Sequence, residues 1–165
     1  MDSSTEFDRQ RDRLIELGYP ALAGLSTDEF AAALEPLRAA VPEGSGAPST
    51  SSIPWILVVT MVDAELLVPL LHLSGSTEPG VVDRNHGEAG LAPYAPLPTL
   101  DIPKGPAYIL YGIERGEEFC NVRPEEALPV ITGRGRTPLT ILEGIALVTH
   151  FSEVLEANAA SRLDE

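Results

Sequence analysis

Hydrophobic residues recur at three- and four-residue spacings after Pro138, and this periodicity predicts a helix near the carboxyl end of the chain. Pro138 disfavours helical geometry at Thr137, so we expect the helix to begin after it. Thr140 and Glu143 have the spacing of a capping box, in which each side chain accepts the backbone N–H of the other residue. His150 lies in the last turn, where a protonated imidazole would be favoured by the helix dipole. The face that we expect to be buried carries Ile141, Ile145 and Val148.

Two amphipathic stretches predict further helices at the amino end of the chain. Residues 6–17 form the first, and Gly18 is well placed to end it in a left-handed conformation. Ser26 and Glu29 have capping-box spacing and open the second helix. Pro36 falls inside the apolar pattern of that helix, and we expect it to kink or split the helix there.

Runs of β-branched and aromatic residues predict a small sheet. Residues 54–62 (PWILVVTMV) are apolar on both faces, which predicts a central strand that is covered on both sides. Residues 107–113 (AYILYGI) predict a second strand. Pro69 weakens a helical pattern over residues 68–73, so we expect that stretch to be extended. With the valines at 81–82 it would form a hairpin-like unit.

These elements predict an α+β fold with N-terminal helices, a small mostly antiparallel sheet and C-terminal helices. Pro124, followed by two glutamates, predicts the start of the first C-terminal helix. The Pro-rich connection over residues 83–106 is longer than most loops of compact domains, and such loops are often functional. We divide the chain into a helical arm (residues 1–41), a flexible linker loop (42–52) and an α+β core (53–165), which together form one domain.

Composition excludes some classes of partner. The net charge of −14 opposes binding to nucleic acid and to anionic membranes. We interpret this charge as a solubility feature rather than as mimicry of an acidic polymer. The single cysteine forbids an internal disulfide and favours a reducing cytoplasm. The polar, acidic start does not resemble a signal peptide, and the longest apolar run is too short to span a bilayer as a helix.

A basic turn precedes the C-terminal helix and is the candidate binding site. Arg134 and Arg136 alternate with glycines just before Thr137 and the expected cap at Thr140. Two guanidiniums beside a helix N-terminus can bind an anion, because the exposed N–H groups and the helix dipole both favour negative charge. The alternative is a turn whose arginines pair with nearby carboxylates. The glycine spacing of a phosphate-binding P-loop is absent, so nucleotide binding is not predicted.

Other reactive residues give weaker patterns. Residues 83–88 (DRNHGE) lack both the ligand series of a calcium loop and the spacing of a zinc site. We interpret Cys120 as a small buried apolar residue rather than a nucleophile. The histidines stand far apart in the sequence: His72, His86 and His150. Four acidic residues could supply an acid–base pair, but we interpret them as solvated turn charges: Asp101, Glu114, Glu117 and Glu118. We therefore predict no catalytic residue, no metal and no cofactor.

Several segments, taken in order, resemble an actinobacterial family of proteins with a domain of unknown function. They are FDRQRDRLIELGYP, VPLLHLSG, ERGEEFCNV, EEALP, RGRTPLTILEGIAL and VLEAN, within residues 7–158. The resemblance implies no activity and no catalytic residues. It also implies a longer chain, because family members continue into a β-rich segment with several Trp, Cys and a His. The expectation is that this chain lacks that segment, which would leave sheet edges unpaired.

These observations favour a non-catalytic cytoplasmic interaction or regulatory module that binds a protein partner or a second copy of itself. The alternative is a small enzyme or ligand-binding protein with an anion site at residues 134–140. A third and weaker alternative is an acidic mimic that occupies a basic surface of a partner. The sequence leaves open whether the chain catalyses a reaction.

Overall fold

The computed structural model describes residues 2–43, 48–49, 51–73, 75–82 and 89–154. The helices in these residues are α1 (Ser3–Glu16), α2 (Tyr19–Leu22), α3 (Thr27–Leu34), α4 (Ala64–Leu67), α5 (Pro124–Gly133) and α6 (Ile141–His150). The strands are β1 (Ser52–Val59) and β2 (Ala107–Glu114). Turns of 3₁₀ helix cover Glu35–Ala40, Val68–Leu70, Ala92–Tyr94 and Glu117–Phe119. The predicted α+β class is confirmed. Across the described ranges, every helix is too short or too polar to cross a membrane.

Local signals set the end of α1 and both ends of α3, as predicted, whereas α1 begins at Ser3 rather than at the predicted residue 6. Gly18 adopts a left-handed φ of 85° between α1 and α2. Ser26 Oγ accepts the Glu29 N–H, and the Glu29 carboxylate accepts the Ser26 N–H, so the capping box is complete. Helix α3 ends at Leu34, and the chain continues as a 3₁₀ turn that contains Pro36. The predicted split of this helix is therefore confirmed.

Strands β1 and β2 pair antiparallel, with Trp55 opposite Tyr111 and Leu57 opposite Ile109. Strand β1 is buried on both faces, as its apolar sequence predicts. One core cluster contains residues of β1, α1 and α3: Trp55, Leu57, Val59, Phe7, Leu14, Phe30 and Leu34. A second cluster joins β1 and β2 to α6 and the residues after it: Ile56, Val58, Tyr108, Ala146, Phe151 and Val154. Residues of the predicted helical arm thus share a core with the sheet.

The predicted hairpin over residues 68–82 is wrong. The Asp63 side chain accepts the Glu65 N–H and starts helix α4, which continues as the 3₁₀ turn Val68–Leu70. Pro69 lies in the first turn of that 3₁₀ segment, where its missing N–H costs no hydrogen bond. Val81 is 80% exposed and belongs to no strand. Within the described residues, the sheet therefore has two strands only.

Helix α6 begins at the predicted cap. Thr140 Oγ1 accepts the Glu143 N–H at 3.3 Å, and Glu143 Oε2 accepts the Thr140 N–H at 2.7 Å. Glu143 is buried, and its other oxygen accepts the Tyr108 hydroxyl at 2.8 Å. The capping carboxylate therefore also links α6 to strand β2.

Side chains of α1 and α6 occupy the edge of β1 that does not face β2. The Leu57 N–H donates to Gln10 Oε1 at 2.8 Å, and the Leu57 carbonyl accepts from His150 Nε2 at 3.0 Å. Gln10 in turn donates to Glu6 Oε1 at 2.9 Å. Both peptide groups of a buried edge residue are thereby satisfied without a third strand.

His150 does not act as a charged residue at the end of α6. The ring is buried, and its Nδ1 has no hydrogen-bond partner among the residues that the structure describes. Burial lowers the pKa of His150 to about 4, and the nearby charge of Arg9 also lowers it, against the opposing effect of the Leu57 carbonyl. The imidazole is therefore neutral at pH 7 and serves as a hydrogen-bond donor to β1 rather than as a charge on the helix end.

Candidate functional site

A cavity of about 460 Å³ lies where β2 ends, beside the turn that joins α5 to α6. The carboxyl-terminal half of β2, the 3₁₀ turn Glu117–Phe119 and residues 134–139 line it. Three arginines contribute to the lining: Arg115, Arg134 and Arg136. Two carboxylates, Glu114 and Glu118, also line it. The described lining therefore carries one more positive charge than negative charges, in a chain whose net charge is −14.

Arg136 is held against the outer side of β2. Its guanidinium donates to the Gly112 carbonyl and lies 3.4 Å from Glu114 Oε1. Pro54 is the β1 residue that falls opposite Gly112 in the register, and proline has no N–H to donate. Gly112 has a φ of 60°, which L side chains rarely adopt. Arg136 thus supplies a donor to a β2 carbonyl at the position whose partner in the register is a proline.

Arg134 follows helix α5 and faces the 3₁₀ turn Glu117–Phe119. Its guanidinium donates to both oxygens of Glu118, at 2.5 and 3.0 Å, and lies 5.6 Å from the centre of the Phe119 ring. The hydrogen bonds from Arg134 hold the pKa of Glu118 below its usual range. Both predicted arginines therefore have carboxylate neighbours, which is the arrangement that the alternative interpretation of the turn describes.

Arg115 is a third arginine of the cavity that the sequence pattern did not reveal. Its side chain is 11% exposed, and its Nη1 lies 3.4 Å from Glu117 Oε1. Its Nη2 is buried and has no hydrogen-bond partner within the described part of the chain. A buried N–H group without a partner is unusual in native proteins, because it loses its bond to water without a replacement. Arg115 directly follows β2, and the end of that strand lies beside the turn at residues 134–139.

The predicted anion-site residues are divided between two cavities. The cavity of about 460 Å³, which we call the arginine cavity, is lined by Arg134, Arg136 and Thr137. Thr140 lines a different cavity of about 610 Å³, formed with residues 60–65 and 91–102. The Thr140 hydroxyl is buried and accepts the Glu143 N–H. The structure therefore brings together the two arginines and Thr137, and separates Thr140 from them.

Among the described residues, the remaining candidates do not assemble into a site. Cys120 is exposed, so the prediction that it is buried is wrong: the turn that carries it runs along the surface. His72 is exposed and its Nδ1 lies 3.0 Å from the Glu78 carbonyl oxygen, whereas His150 is in the core. No group of three or more metal-ligating side chains occurs in the described ranges. Residues 83–88, residues 44–47 and residue 50 of the predicted loops lie outside the described residues, as do residues 155–165.

Comparison with known proteins gives one match. The pattern of a family described as a family of unknown function (DUF5701) matches residues 13–163, which is more than half of the chain. No curated protein matches the chain, and no solved structure does. The expected resemblance to a family of unknown function is confirmed. The actinobacterial source and the further β-rich segment stay predictions.

Proposed function

We propose that this chain, which belongs to the DUF5701 family of unknown function, is a cytoplasmic binding module whose arginine cavity takes a small oxyanion, a phosphate or carboxylate group. The observation that carries the proposal is the meeting of Arg115, Arg134 and Arg136 around one cavity. Guanidinium groups bind carboxylate and phosphate oxygens with paired, charge-assisted hydrogen bonds. A volume of about 460 Å³ is that of a small-molecule site.

The glutamates that pair with the cavity arginines compete only weakly with such a ligand for those arginines. Glu114 and Glu118 are 63% and 53% exposed at the side chain. Ion pairs in water contribute little, because both partners stay hydrated and are screened by salt. A ligand that carries two negative charges can therefore replace a glutamate at Arg134 or Arg136. The buried Nη2 of Arg115 offers a further donor that no described protein atom uses.

Replacing Arg134 and Arg136 together with alanine should weaken the binding of inorganic phosphate or of succinate by about tenfold or more, since each arginine loses a charge-assisted contact. Isothermal titration calorimetry at low salt measures the change, and comparison of the two probes shows which oxyanion is preferred. Arg13 on α1 is exposed and does not belong to the described cavity lining, so Arg13→Ala serves as the control for loss of positive charge. Urea unfolding of each variant reports whether Arg136, which also bonds to β2, has altered the fold. Equal affinities in the double variant and the control would contradict the proposal.

A second candidate function, the binding of a protein partner or of a second copy, is favoured by one stretch of the surface. The segment from α4 to residue 82 leaves three apolar side chains exposed: Leu66 (52%), Leu73 (53%) and Val81 (80%). Contiguous apolar patches on a protein surface are typical of interaction sites. We propose that these three side chains contribute to one such patch.

Self-association through this segment should appear as a molar mass that rises with protein concentration in light scattering. The double variant Leu66→Ser, Leu73→Ser should lower that mass to the monomer value. Leu97 is exposed to a similar extent (41%) on a different segment, so Leu97→Ser is the matched control and should leave the mass unchanged. A strictly monomeric mass for the unmodified chain at high concentration would contradict this second function.

A further inference from the structure

We propose that the second cavity binds a small organic ammonium ion with an apolar body. This cavity, of about 610 Å³, lies between residues 60–65, residues 91–102 and the start of α6. Its volume is within the range of known small-molecule sites. It shares no lining residue with the arginine cavity. The proposal is therefore independent of the function proposed above.

Apolar side chains form most of the wall of the second cavity. The larger ones are Met61, Val62, Leu91, Ile102, Ile141 and Leu142. Such a wall favours an apolar ligand body, because the contact removes apolar surface from water on both sides. Two tyrosines, Tyr94 and Tyr108, also line the cavity. The faces of aromatic rings attract ammonium groups, and quaternary ammonium ligands are often recognised in this way.

The charged residues of the described lining are both acidic. They are Asp63 and Glu65, and no lysine, arginine or histidine lies among the lining residues that the structure describes. Asp63 Oδ1 accepts the Glu65 N–H at 2.9 Å, and Glu65 Oε1 accepts the Leu91 N–H at 2.9 Å. These bonds hold both carboxylates at the cavity. The two carboxylates give the described lining a negative charge, which attracts a cation.

The N-terminus of α6 does not reverse this preference. A helix N-terminus carries a partial positive charge that would favour an anion. Here the carboxylate of Glu143 lies in the first turn, accepts the Thr140 N–H and is buried. Burial raises the pKa of Tyr108, and the neighbouring Glu143 raises it further, so the tyrosine stays protonated and donates to Glu143. The Glu143 carboxylate thus compensates the partial positive charge at the N-terminus of α6.

Titration with phenethylammonium, followed by ¹H–¹⁵N NMR, tests the proposal on the full chain. Saturable shifts are expected at the amides of Asp63, Glu65, Leu91 and Leu142. Hydrocinnamate, which has a carboxylate in place of the ammonium group, should bind at least about tenfold more weakly, and phenethyl alcohol should bind with intermediate affinity. Asp63→Asn and Glu65→Gln keep a side-chain oxygen for the backbone bonds, and each should weaken phenethylammonium binding by about fivefold.

Two further variants complete the test. Glu16→Gln removes an exposed carboxylate from α1 and should leave the affinity unchanged. Ala92→Trp places a large side chain at the cavity wall and should abolish the shifts. The double Arg134→Ala, Arg136→Ala variant should bind phenethylammonium as the unmodified chain does. The proposal is overturned if phenethylammonium produces no saturable shifts at the cavity, or if hydrocinnamate binds as tightly as phenethylammonium.

Discussion

Replacing Gln10 with leucine will destabilise the protein by about 2 kcal/mol, because it leaves the buried Leu57 N–H without an acceptor. Gln10 is fully buried and similar in size to leucine, so the substitution removes polar contacts without opening a large cavity. The Leu57 N–H cannot form a replacement hydrogen bond with water, since Leu57 is also fully buried. The second bond of Gln10, to Glu6 Oε1, is lost at the same time.

Urea unfolding followed by circular dichroism measures this change in the free energy of unfolding. Glu16→Leu makes the matched control, because Glu16 is an exposed residue of the same helix. That control should change the free energy of unfolding by no more than about 0.5 kcal/mol. If Gln10→Leu is no more destabilising than Glu16→Leu, then Gln10 does not hold the edge of β1 as described.

Lowering the pH from 7 to 5 will destabilise the protein by about 2 kcal/mol through His150 alone. The folded protein binds the imidazole proton only near pH 4, whereas the unfolded chain binds it near pH 6.5. Between these values the unfolded state holds more protons, so stability falls as the pH falls. The stabilisation is complete above pH 6.5 and is fully lost below pH 4, a total of about 3 kcal/mol.

The groups that influence the pKa of His150 come from two elements. Glu6, Arg9 and Arg13 of α1 act on the ring by charge, and the Leu57 carbonyl of β1 accepts its N–H. Burial acts to raise the pKa of Glu6, but hydrogen bonds from Arg9 and Gln10 outweigh it and lower that pKa. Glu6 therefore adds to the acid sensitivity, at a lower pH than His150 does.

Urea unfolding at pH 7, 6 and 5 separates the histidine effect from that of the carboxylates. His150→Gln removes the titrating group and should flatten the pH dependence over this range. His72→Gln replaces an exposed histidine and should retain the slope of the unmodified chain. A slope that persists in His150→Gln, or that disappears in His72→Gln, would assign the acid sensitivity to other groups.

The sequence predicted those parts of the fold that depend on neighbouring residues. The capping boxes at Ser26 and Thr140 and the left-handed Gly18 were predictable, because each needs only a short stretch of chain. Both strands were predictable from composition and length. Pro69 misled the prediction for residues 68–73, since a proline is tolerated in the first turn of a helix as well as in extended chain.

Contacts between distant residues could not be predicted. Gln10 and Leu57 are 47 positions apart, and His150 and Leu57 are 93 apart, so no local pattern relates them. The basic turn drew attention to Arg134 and Arg136, but Arg115 joins them only through the end of β2. Thr140 is close to the arginines in sequence, yet the turn at residues 137–139 places it in the other cavity. Cys120 has apolar neighbours in sequence and is nevertheless exposed.

Titration of the chain with inorganic phosphate, followed through the arginine Nε–Hε signals in NMR, tests the arginine cavity most directly. The proposed anion site predicts that the signals of Arg115, Arg134 and Arg136 shift together with one dissociation constant, while those of Arg11 and Arg13 on α1 stay in place. Signals that do not move, or that move equally for all arginines of the chain, would contradict an anion site in this cavity.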